Sequence, residues 1–504
     1  MNTKPPSTTG KQLAKNSMYS TAAAFASLAI GIFVIPIVVK KFGIVQYGIY
    51  SLLTSMVGYY ALLDFGFGEG IVKFVAEYRA KGDMKGITMS INSALSVQIL
   101  FGLLGSAILC VFAAEILKLL KVPAAFMGVS KRCVFYIAFG FFFTMISGTF
   151  SSVLKGLQRY DTISKITVFL SLGLNIVTII ALYGFGMGLE ALIVFNVLFA
   201  VFSFLLFLIA VKNELPAYTF TLFPDRHYFN KIFNFSGFMF LSRISSIFTT
   251  TIVQFVISMF LGPSAVSFYV IPLKLISVFG SLLATAFGVI FPFSSELSAG
   301  NDPEKIKILF LDMSRLLAAI AVPGFLALAV FSKPVLFIWM GPEFADKGWL
   351  VMSLLAVATL LGALTAVPNF ITMGLGHAKL ISMFTLFTIL IYSVLMPFFT
   401  KAMGMKGAAL AILCATLPGI LLILYQTKNI FKISIPGFLS KVFSFHLIPL
   451  AISIVLLVIV EKNAWFLSFR TGIPSLAAFL VLYAGGMYLF RWLPLDEYVN
   501  RLRR

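Results

Sequence analysis

Residues 17–39 read SMYSTAAAFASLAIGIFVIPIVV and contain no charged side chain. A helix that spans a bilayer needs about 20 consecutive apolar residues, whereas the apolar core of a signal peptide has only about 7–15. The stretch is therefore predicted to be a retained membrane span. A polar tail that carries Lys4, Lys11 and Lys15 precedes it.

The rest of the chain has the same character. Hydrophobic residues make up 60% of its 504 residues and charged residues only 11%, and its mean hydropathy is +1.02. An ordinary soluble domain carries about 25% charged residues, so this composition excludes a soluble enzyme. The three cysteines lie in apolar runs without the spacing of a metal site or a disulfide framework, and they are interpreted as small core residues.

Apolar stretches bounded by charge, glycine or proline predict an all-α polytopic membrane protein with about fourteen spans. The predicted spans are 17–39, 47–67, 88–112, 134–154, 165–183, 188–211, 235–260, 266–291, 309–330, 350–373, 380–399, 405–425, 444–460 and 471–490. Lys and Arg number 24 in the connections on one side and 12 on the other. Because cytoplasmic loops are enriched in these residues, both termini are predicted to be cytoplasmic. Topology thus accounts for most of the net charge of +20, and no nucleic-acid partner is expected.

The sequence also repeats itself. Residues 156–164, GLQRYDTIS, correspond to residues 374–382, GLGHAKLIS, at an offset of 218. Further matching pairs, at offsets of 218 or 219, are Gly186 and Gly404, Ala191 and Ala409, Gly43 and Gly262, Tyr50 and Tyr269, Glu77 and Glu296, and Asp83 and Asp302. Six spans per copy give both copies the same orientation. The chain is therefore predicted to contain two six-helix lobes related by a pseudo-two-fold axis along the membrane normal, as in transporters built from parallel repeats.

This duplication predicts the domain organisation. The predicted parts are a cytoplasmic tail (1–16), an N-lobe of six spans (17–211), a cytoplasmic inter-lobe linker (212–234), a C-lobe of six spans (235–425), a linker with two further spans (426–490) and a cytoplasmic C-terminal tail (491–504). Two lobes that face each other would enclose a cleft that can open to either side of the membrane. That geometry is typical of a transporter.

Positions at which the two lobes differ are candidates for function. Arg243 in the seventh predicted span and Lys274 in the eighth correspond to Phe25 and Ser55 in the first lobe. A basic side chain at membrane depth costs at least about 2.5–3.5 kcal/mol and usually faces protein or water. Arg243 and Lys274 are therefore interpreted as two cationic steps in a water-filled cavity for an anionic substrate. The alternative is that both snorkel or pair structurally.

Acidic residues mark the first lobe instead. Asp64 and Glu69, at the end of the second predicted span, are candidate proton- or cation-coupling groups, because a carboxyl group in a semi-buried polar cavity can take up and release a proton. A solvated helix end is the alternative. Lys155, Arg159 and Lys379 on the predicted cytoplasmic face are candidate phosphate contacts near an entrance, or residues that only fix the topology.

The motifs of common enzymes are missing from the sequence. It has no glycine-rich phosphate-binding loop followed by Lys and Ser or Thr, no His-Glu-x-x-His motif and no paired-cysteine motif. No catalytic residue, metal site or cofactor is predicted, and no connection between predicted spans is long enough to hold a catalytic domain. The chain is not expected to be an enzyme.

Several segments carry a resemblance through their order and spacing. They are 42–50 (FGIVQYGIY), 62–68 (LLDFGFG), 74–78 (FVAEY), 155–160 (KGLQRY), 268–274 (FYVIPLK) and 292–296 (PFSSE). Together they resemble the polysaccharide flippases of the multidrug, oligosaccharidyl-lipid and polysaccharide exporter superfamily. The resemblance implies twelve to fourteen helices in two lobes, alternating access and a cationic cavity, which agrees with Arg243 and Lys274. The first span lacks the carboxylate that the drug-exporting branch commonly carries there.

The function implied by this resemblance is translocation of undecaprenyl-diphosphate-linked oligosaccharide repeat units across the bacterial inner membrane, for O-antigen or exopolysaccharide biosynthesis. The implied partners are that lipid-linked oligosaccharide, membrane lipids and polysaccharide polymerase or assembly proteins. Three alternatives stay open: an ion-coupled multidrug or metabolite exporter, a lipid II flippase of the same superfamily, and a non-transporting membrane scaffold.

Overall fold

A computed structural model of the chain describes residues 10–58, 64–222, 225–234, 236, 251–288, 290–299, 303–443, 477, 479 and 483. Within these residues every regular element is a helix, and ten helical stretches are long and apolar enough to cross a membrane. The protein is an all-helical, multi-pass membrane protein, as predicted. The number fourteen stays a prediction, because the seventh, thirteenth and fourteenth predicted spans lie largely outside the described residues.

The chain divides into two compact units, Met1–Ser267 (unit 1) and Phe268–Arg504 (unit 2). The α-helices are α1 (Gly10–Val57), α2 (Phe67–Ala80), α3 (Met84–Val111), α4 (Ala113–Leu119), α5 (Ala124–Gly156), α6 (Tyr160–Tyr183), α7 (Leu189–Glu214), α8 (Val253–Leu261), α9 (Pro263–Phe287), α10 (Ile290–Ala299), α11 (Pro303–Val330), α12 (Ser332–Met340), α13 (Pro342–Leu364), α14 (Ala366–Gly374), α15 (Ala378–Met403), α16 (Met405–Ala415), α17 (Leu417–Tyr425) and α18 (Ile435–Phe443). A π-helix, Gln426–Ile430, follows α17. The boundary between the units falls within α9, and the lobe bounds derived from the duplication stay a prediction.

Two glycines with the same unusual backbone interrupt the helices. Gly43 divides α1 into two helices and has φ 77° and ψ 168°, in the predicted connection between the first two spans. Its predicted counterpart Gly262, between α8 and α9, has φ 83° and ψ 172°. This region of backbone space is open essentially to glycine alone. The agreement supports the predicted duplication, which itself stays a prediction.

The core of unit 1 surrounds the short helix α2. The long helix α5 packs against α3 and α7, and α2 contributes Phe67, Ile71, Phe74 and Tyr78 to the same buried cluster. These four residues recur every three to four positions, which places them on one face of a helix. Much of the connection predicted around Lys73 to Lys85 is therefore a helix with a buried face.

The segment after α7 returns to the surface of α3. The Tyr218 hydroxyl donates to Asn92 Oδ1 at 2.9 Å, and Asn92 Nδ2 donates to Thr219 O at 3.0 Å and to Thr221 Oγ1 at 2.8 Å. A helix over 226–234 follows, in which Lys231 Nζ donates to the Tyr78 hydroxyl at 2.9 Å. The predicted inter-lobe linker is thus docked on unit 1 over much of its length.

In unit 2, α13 packs against α11 and α12, and α15 packs against α16. An aromatic stack joins α11 to the segment that follows the π-helix: the Phe310 ring lies 4.0 Å from Phe431 and 5.2 Å from Phe438, with nearly parallel planes. Phe479, in the last predicted span, is buried beside Phe331 with 6.0 Å between ring centroids. The first half of α11 and the segment that follows the π-helix are therefore held together.

Candidate functional site

The second predicted span is not one continuous helix. Its first part ends with α1 at Val57, and Asp64 to Gly66 form a turn that leads into α2. Phe65 has φ 46° and Gly66 has φ 77°, both in the left-handed region. Inside a membrane, such non-helical backbone is tolerated only where protein or water surrounds it, and broken helices form binding sites in many transporters.

Asp64 lies at this break with its carboxylate enclosed by protein. The residue is only 6% exposed. Gln98 Nε2, on α3, donates to Asp64 Oδ1 at 2.6 Å. The backbone N–H of Gly68, in the first turn of α2, lies 3.3 Å and 3.4 Å from the two carboxylate oxygens. A helix N-terminus favours a negative charge, so the first turn of α2 and Gln98 together stabilise the carboxylate of Asp64.

Glu69 does not share this environment. It lies in the first turn of α2, and its side chain is exposed. The two predicted coupling carboxylates are therefore not equivalent, since only Asp64 is buried at the break. Gln98 is the residue that the sequence pattern did not reveal. The only signal for it is an amide side chain within the apolar run of α3.

Of the two predicted intramembrane cations, the structure describes Lys274; Arg243 lies outside the described residues. Lys274 is the twelfth residue of α9, and thirteen more residues follow it before the helix ends at Phe287. It is exposed at the surface of the chain. Pro272 lies two residues earlier within the same helix. A basic side chain is thus presented near the middle of a candidate membrane span.

The three predicted entrance residues lie at two helix corners. Lys155 and Arg159 flank the turn between α5 and α6 in unit 1, and Lys379 lies in the first turn of α15 in unit 2; all three are exposed. Arg159 Nη2 lies 2.7 Å from Glu214 Oε1. Arg159 is therefore already paired with a carboxylate, which reduces its availability for a phosphate.

The comparisons with known proteins agree with this architecture. The family model described as "Polysaccharide biosynthesis protein" matches residues 13–298. A Shigella flexneri protein named "Putative O-antigen transporter" is 23% identical over 403 residues, which cover 79% of this chain and 93% of that protein.

Solved structures with a similar fold include a lipid II flippase and a multidrug resistance transporter. The lipid II flippase MurJ, in an inward closed conformation, has a TM-score of 0.72 and 15% identity, over 94% of this chain and 99% of its own. A multidrug resistance MATE family transporter of the MOP superfamily, in an inward-facing conformation, has a TM-score of 0.68 and 15% identity, over 81% and 95% of the two chains. This chain therefore shares the fold of these two structures.

Proposed function

Since the chain belongs to the polysaccharide biosynthesis protein family, we propose that it is a flippase of the bacterial inner membrane. It moves oligosaccharide repeat units linked to undecaprenyl diphosphate from the inner to the outer leaflet by alternating access. These units supply O-antigen or exopolysaccharide assembly, and a polymerase or assembly protein is the downstream partner. Both termini of the flippase lie in the cytoplasm. The similarity to the Shigella protein and the lipid II flippase fold support this class of substrate.

One observation carries the proposal: Lys274 is exposed near the middle of a candidate membrane span. A lysine at this depth is costly in hydrocarbon, so it faces water or protein. A water-filled cavity with a cationic wall suits a diphosphate and repels a cationic drug. The lipid tail of the substrate stays in the bilayer while the diphosphate passes Lys274, and Arg243 is the second cationic step on the path.

Asp64 is the proposed coupling group. Its carboxylate lies at a broken helix and accepts hydrogen bonds from Gln98 and from the backbone of Gly68. Uptake of a proton would remove the charge that the N-terminus of α2 stabilises. Protonation would therefore weaken the interactions of Asp64 with the first turn of α2 and with Gln98. A coupled transporter requires such a dependence of its conformation on proton binding. Glu69, being exposed, is the weaker candidate.

Export in cells tests the proposal. A strain that lacks its own repeat-unit flippase is supplied with this chain, and surface polysaccharide and cytoplasmic lipid-linked repeat units are measured at matched protein levels. Surface polysaccharide should be restored, and Arg243→Ala and Lys274→Ala should each lower it. Wild-type export by Lys274→Ala would contradict the cationic path, and wild-type export by Arg243→Ala would remove Arg243 from it. Drug resistance on overexpression, with no effect on lipid-linked sugar, would instead identify the chain as an ion-coupled drug exporter.

A further inference from the structure

Unit 2 contains a cavity of about 680 Å³ that the proposed function does not use. It lies where the end of α10, the start of α11, the corner between α14 and α15 and the π-helix meet. Under the predicted topology all of these connections are on the cytoplasmic face. Ligand sites in proteins have volumes of about 300–1,000 Å³, so the cavity is large enough for a small polar ligand or a lipid headgroup.

The described lining of this cavity is basic and apolar, without a carboxylate. Its basic residues are Lys307, His377 and Lys432, its neutral polar residues are Ser298, Tyr425 and Asn429, and the remaining half is apolar. Lys307 Nζ is paired with Glu304 Oε1 at 2.6 Å, but the Glu304 side chain is 75% exposed and lies outside the lining. Basic and apolar side chains side by side match a lipid headgroup that carries phosphate.

Two helices also begin at this cavity. The first helix, α11, starts at Pro303, and α15 starts at Ala378, directly after His377. The first turn of a helix presents backbone N–H groups and the positive end of the helix dipole. Both helix starts therefore add to the attraction that the two lysines exert on an anion.

The corresponding corner of unit 1 is bridged by its own side chains. Arg159 pairs with Glu214 there, and Arg79 Nη1 donates to the carbonyl oxygen of Leu157. At the offsets of the predicted duplication, the counterparts of Arg79, Arg159 and Glu214 are Ser298, His377 and Lys432.

The backbone at the two corners supports this correspondence. The N–H of Arg159 donates to Leu154 O at 2.9 Å, and 218 residues later the N–H of His377 donates to Thr372 O at 3.1 Å. The residue before each has a positive φ. The two corners thus share a local backbone structure, although their side chains differ.

These side-chain differences explain both the space and the charge. His377 and Lys432 are both basic, so they cannot form the ion pair that Arg159 and Glu214 form in unit 1. Ser298 is too short to reach across the corner as Arg79 does. Unit 2 therefore has a basic cavity at the position where unit 1 has an ion pair and an arginine that reaches a backbone carbonyl.

We propose that this cavity binds the phosphate group of a membrane lipid from the cytoplasmic leaflet. Lys432 contacts the phosphate oxygens, and Lys307 joins it by exchanging its exposed partner Glu304 for the phosphate. The apolar side chains contact the first part of the lipid tail. Two lipids supply this chemistry, the polyprenyl diphosphate of the proposed substrate and an anionic phospholipid. The first of these rests on the proposed function, whereas the second does not.

Native mass spectrometry of the full-length protein in detergent tests the proposal. The probes are undecaprenyl diphosphate, phosphatidylglycerol and diacylglycerol; the last has the tails of a phospholipid but no phosphate. The variants are Lys432→Glu and Ser298→Arg. Each places in unit 2 the residue type that unit 1 has at the equivalent position, Glu214 and Arg79. Lys428→Glu is the matched control, because Lys428 is an exposed lysine of the π-helix, shortly before Lys432 in the chain, and lies outside the cavity lining.

The wild type and Lys428→Glu should retain at least one phosphate-bearing lipid about tenfold more strongly than diacylglycerol, as expected for a charge-assisted hydrogen bond. Lys432→Glu should abolish that difference because it reverses a charge of the lining. Ser298→Arg should abolish it by filling the cavity, with the guanidinium bound to the Leu375 carbonyl as that of Arg79 is bound to the Leu157 carbonyl. Stronger retention of undecaprenyl diphosphate than of phosphatidylglycerol would identify the lipid of the proposed substrate as the ligand. Equal or stronger retention of phosphatidylglycerol would show that an anionic phospholipid is sufficient. Equal retention of all three probes by the wild type, or wild-type retention by both cavity variants, would overturn the proposal.

The binding measurement does not depend on export. If Lys274→Ala exports normally while the cavity still discriminates between lipids, the cationic path fails and the cavity stands. If Lys274→Ala blocks export while Lys432→Glu binds lipids like the wild type, the cavity proposal fails and the cationic path stands. The two proposals therefore fail separately.

Discussion

Gln98 Nε2 lies 2.6 Å from Asp64 Oδ1, within hydrogen-bonding distance and with both residues buried. The contact joins α3 to the break that precedes α2. Because 34 residues separate the two side chains in sequence, the contact fixes the position of the break in the folded chain. A buried polar pair of this kind is costly to disrupt when one partner is left behind.

Removing the carboxylate should therefore destabilise the protein, whereas neutralising it should not. Asp64→Ala leaves the Gln98 amide buried without this acceptor, at a cost of about 1–3 kcal/mol. Asp64→Asn retains an acceptor oxygen and should unfold close to the wild-type temperature. It should nevertheless lose export if proton uptake by Asp64 drives transport. Thermal unfolding in detergent and export in cells measure the two effects. A wild-type melting temperature for Asp64→Ala would contradict the described contact.

Close packing at Gly48 gives a second prediction. A Cβ atom built on Gly48 would lie 2.6 Å from the carbonyl carbon of Pro263 and would collide with its oxygen, whereas one on Gly31 would meet nothing within 4 Å. Both glycines belong to α1. Gly48→Ala should destabilise the protein by about 1–3 kcal/mol, and Gly31→Ala should not lower the melting temperature. Equal melting temperatures for the two variants would show that α1 and the start of α9 are not in this close contact.

The ion pair between Arg159 and Glu214 predicts a rescue. Arg159→Glu places two carboxylates at the corner between α5 and α6 and should reduce protein level or export. The double variant Arg159→Glu with Glu214→Arg should restore it, because the pair is structural. Since both side chains are partly exposed, the effect on stability is at most about 1 kcal/mol. Export that stays low in the double variant would instead assign Arg159 to the phosphate of the substrate.

The stability that the docked linker contributes should depend on pH, with a sign set by Glu77 and Lys231. The pKa of Glu77 lies below its usual range, first because Lys81 donates a hydrogen bond to it and also because Lys231 is near. The pKa of Lys231 lies above its usual range, chiefly through its hydrogen bond with Tyr78. Stability from Glu77 is present above its unfolded pKa of about 4.3 and is lost as the pH falls through the lower folded value. Stability from Lys231 is present below about 10.4 and is lost as the pH rises through its raised folded value.

The melting temperature difference between the wild type and Lys231→Met should therefore be constant from about pH 5 to 9. It should shrink when the pH falls below about 4 and when it rises above about 10.4. Lys212→Met, at the start of the linker and outside this cluster, is the control. A difference that changes steadily across neutral pH would contradict the assignment of these charges.

The sequence predicted the class of the fold because hydropathy over long windows depends only on composition and spacing. The same averaging concealed the break near Asp64, since Leu62, Leu63, Phe65 and Phe67 keep the stretch apolar on both sides of the turn. Among the described residues, the left-handed conformation of Phe65 and Gly66 marks the break, and hydropathy does not record conformation.

The candidate site was only partly predictable for a related reason. Asp64 and Lys274 were predicted as charged residues in apolar surroundings, which is a local property of the sequence. Gln98 was not predicted, because its role depends on a contact between distant segments. The basic cavity of unit 2 was not predicted, because Lys432 and His377 lie outside the predicted spans and come together only in the folded chain. The difference between the two units becomes clear only when Lys432 and His377 are compared with Glu214 and Arg159, which form an ion pair at the equivalent positions of unit 1.

The most direct measurement for the cationic path is the flipping rate in proteoliposomes. A polyprenyl-diphosphate-linked sugar is placed in one leaflet, and its appearance in the other is followed for the wild type, Lys274→Ala, Lys274→Arg and the control Lys401→Ala. Lys274→Ala should lower the initial rate about tenfold, as for the loss of one interaction between a charge and a phosphate. Lys274→Arg should retain a substantial part of the rate, and Lys401→Ala should match the wild type. A wild-type rate for Lys274→Ala would contradict the account.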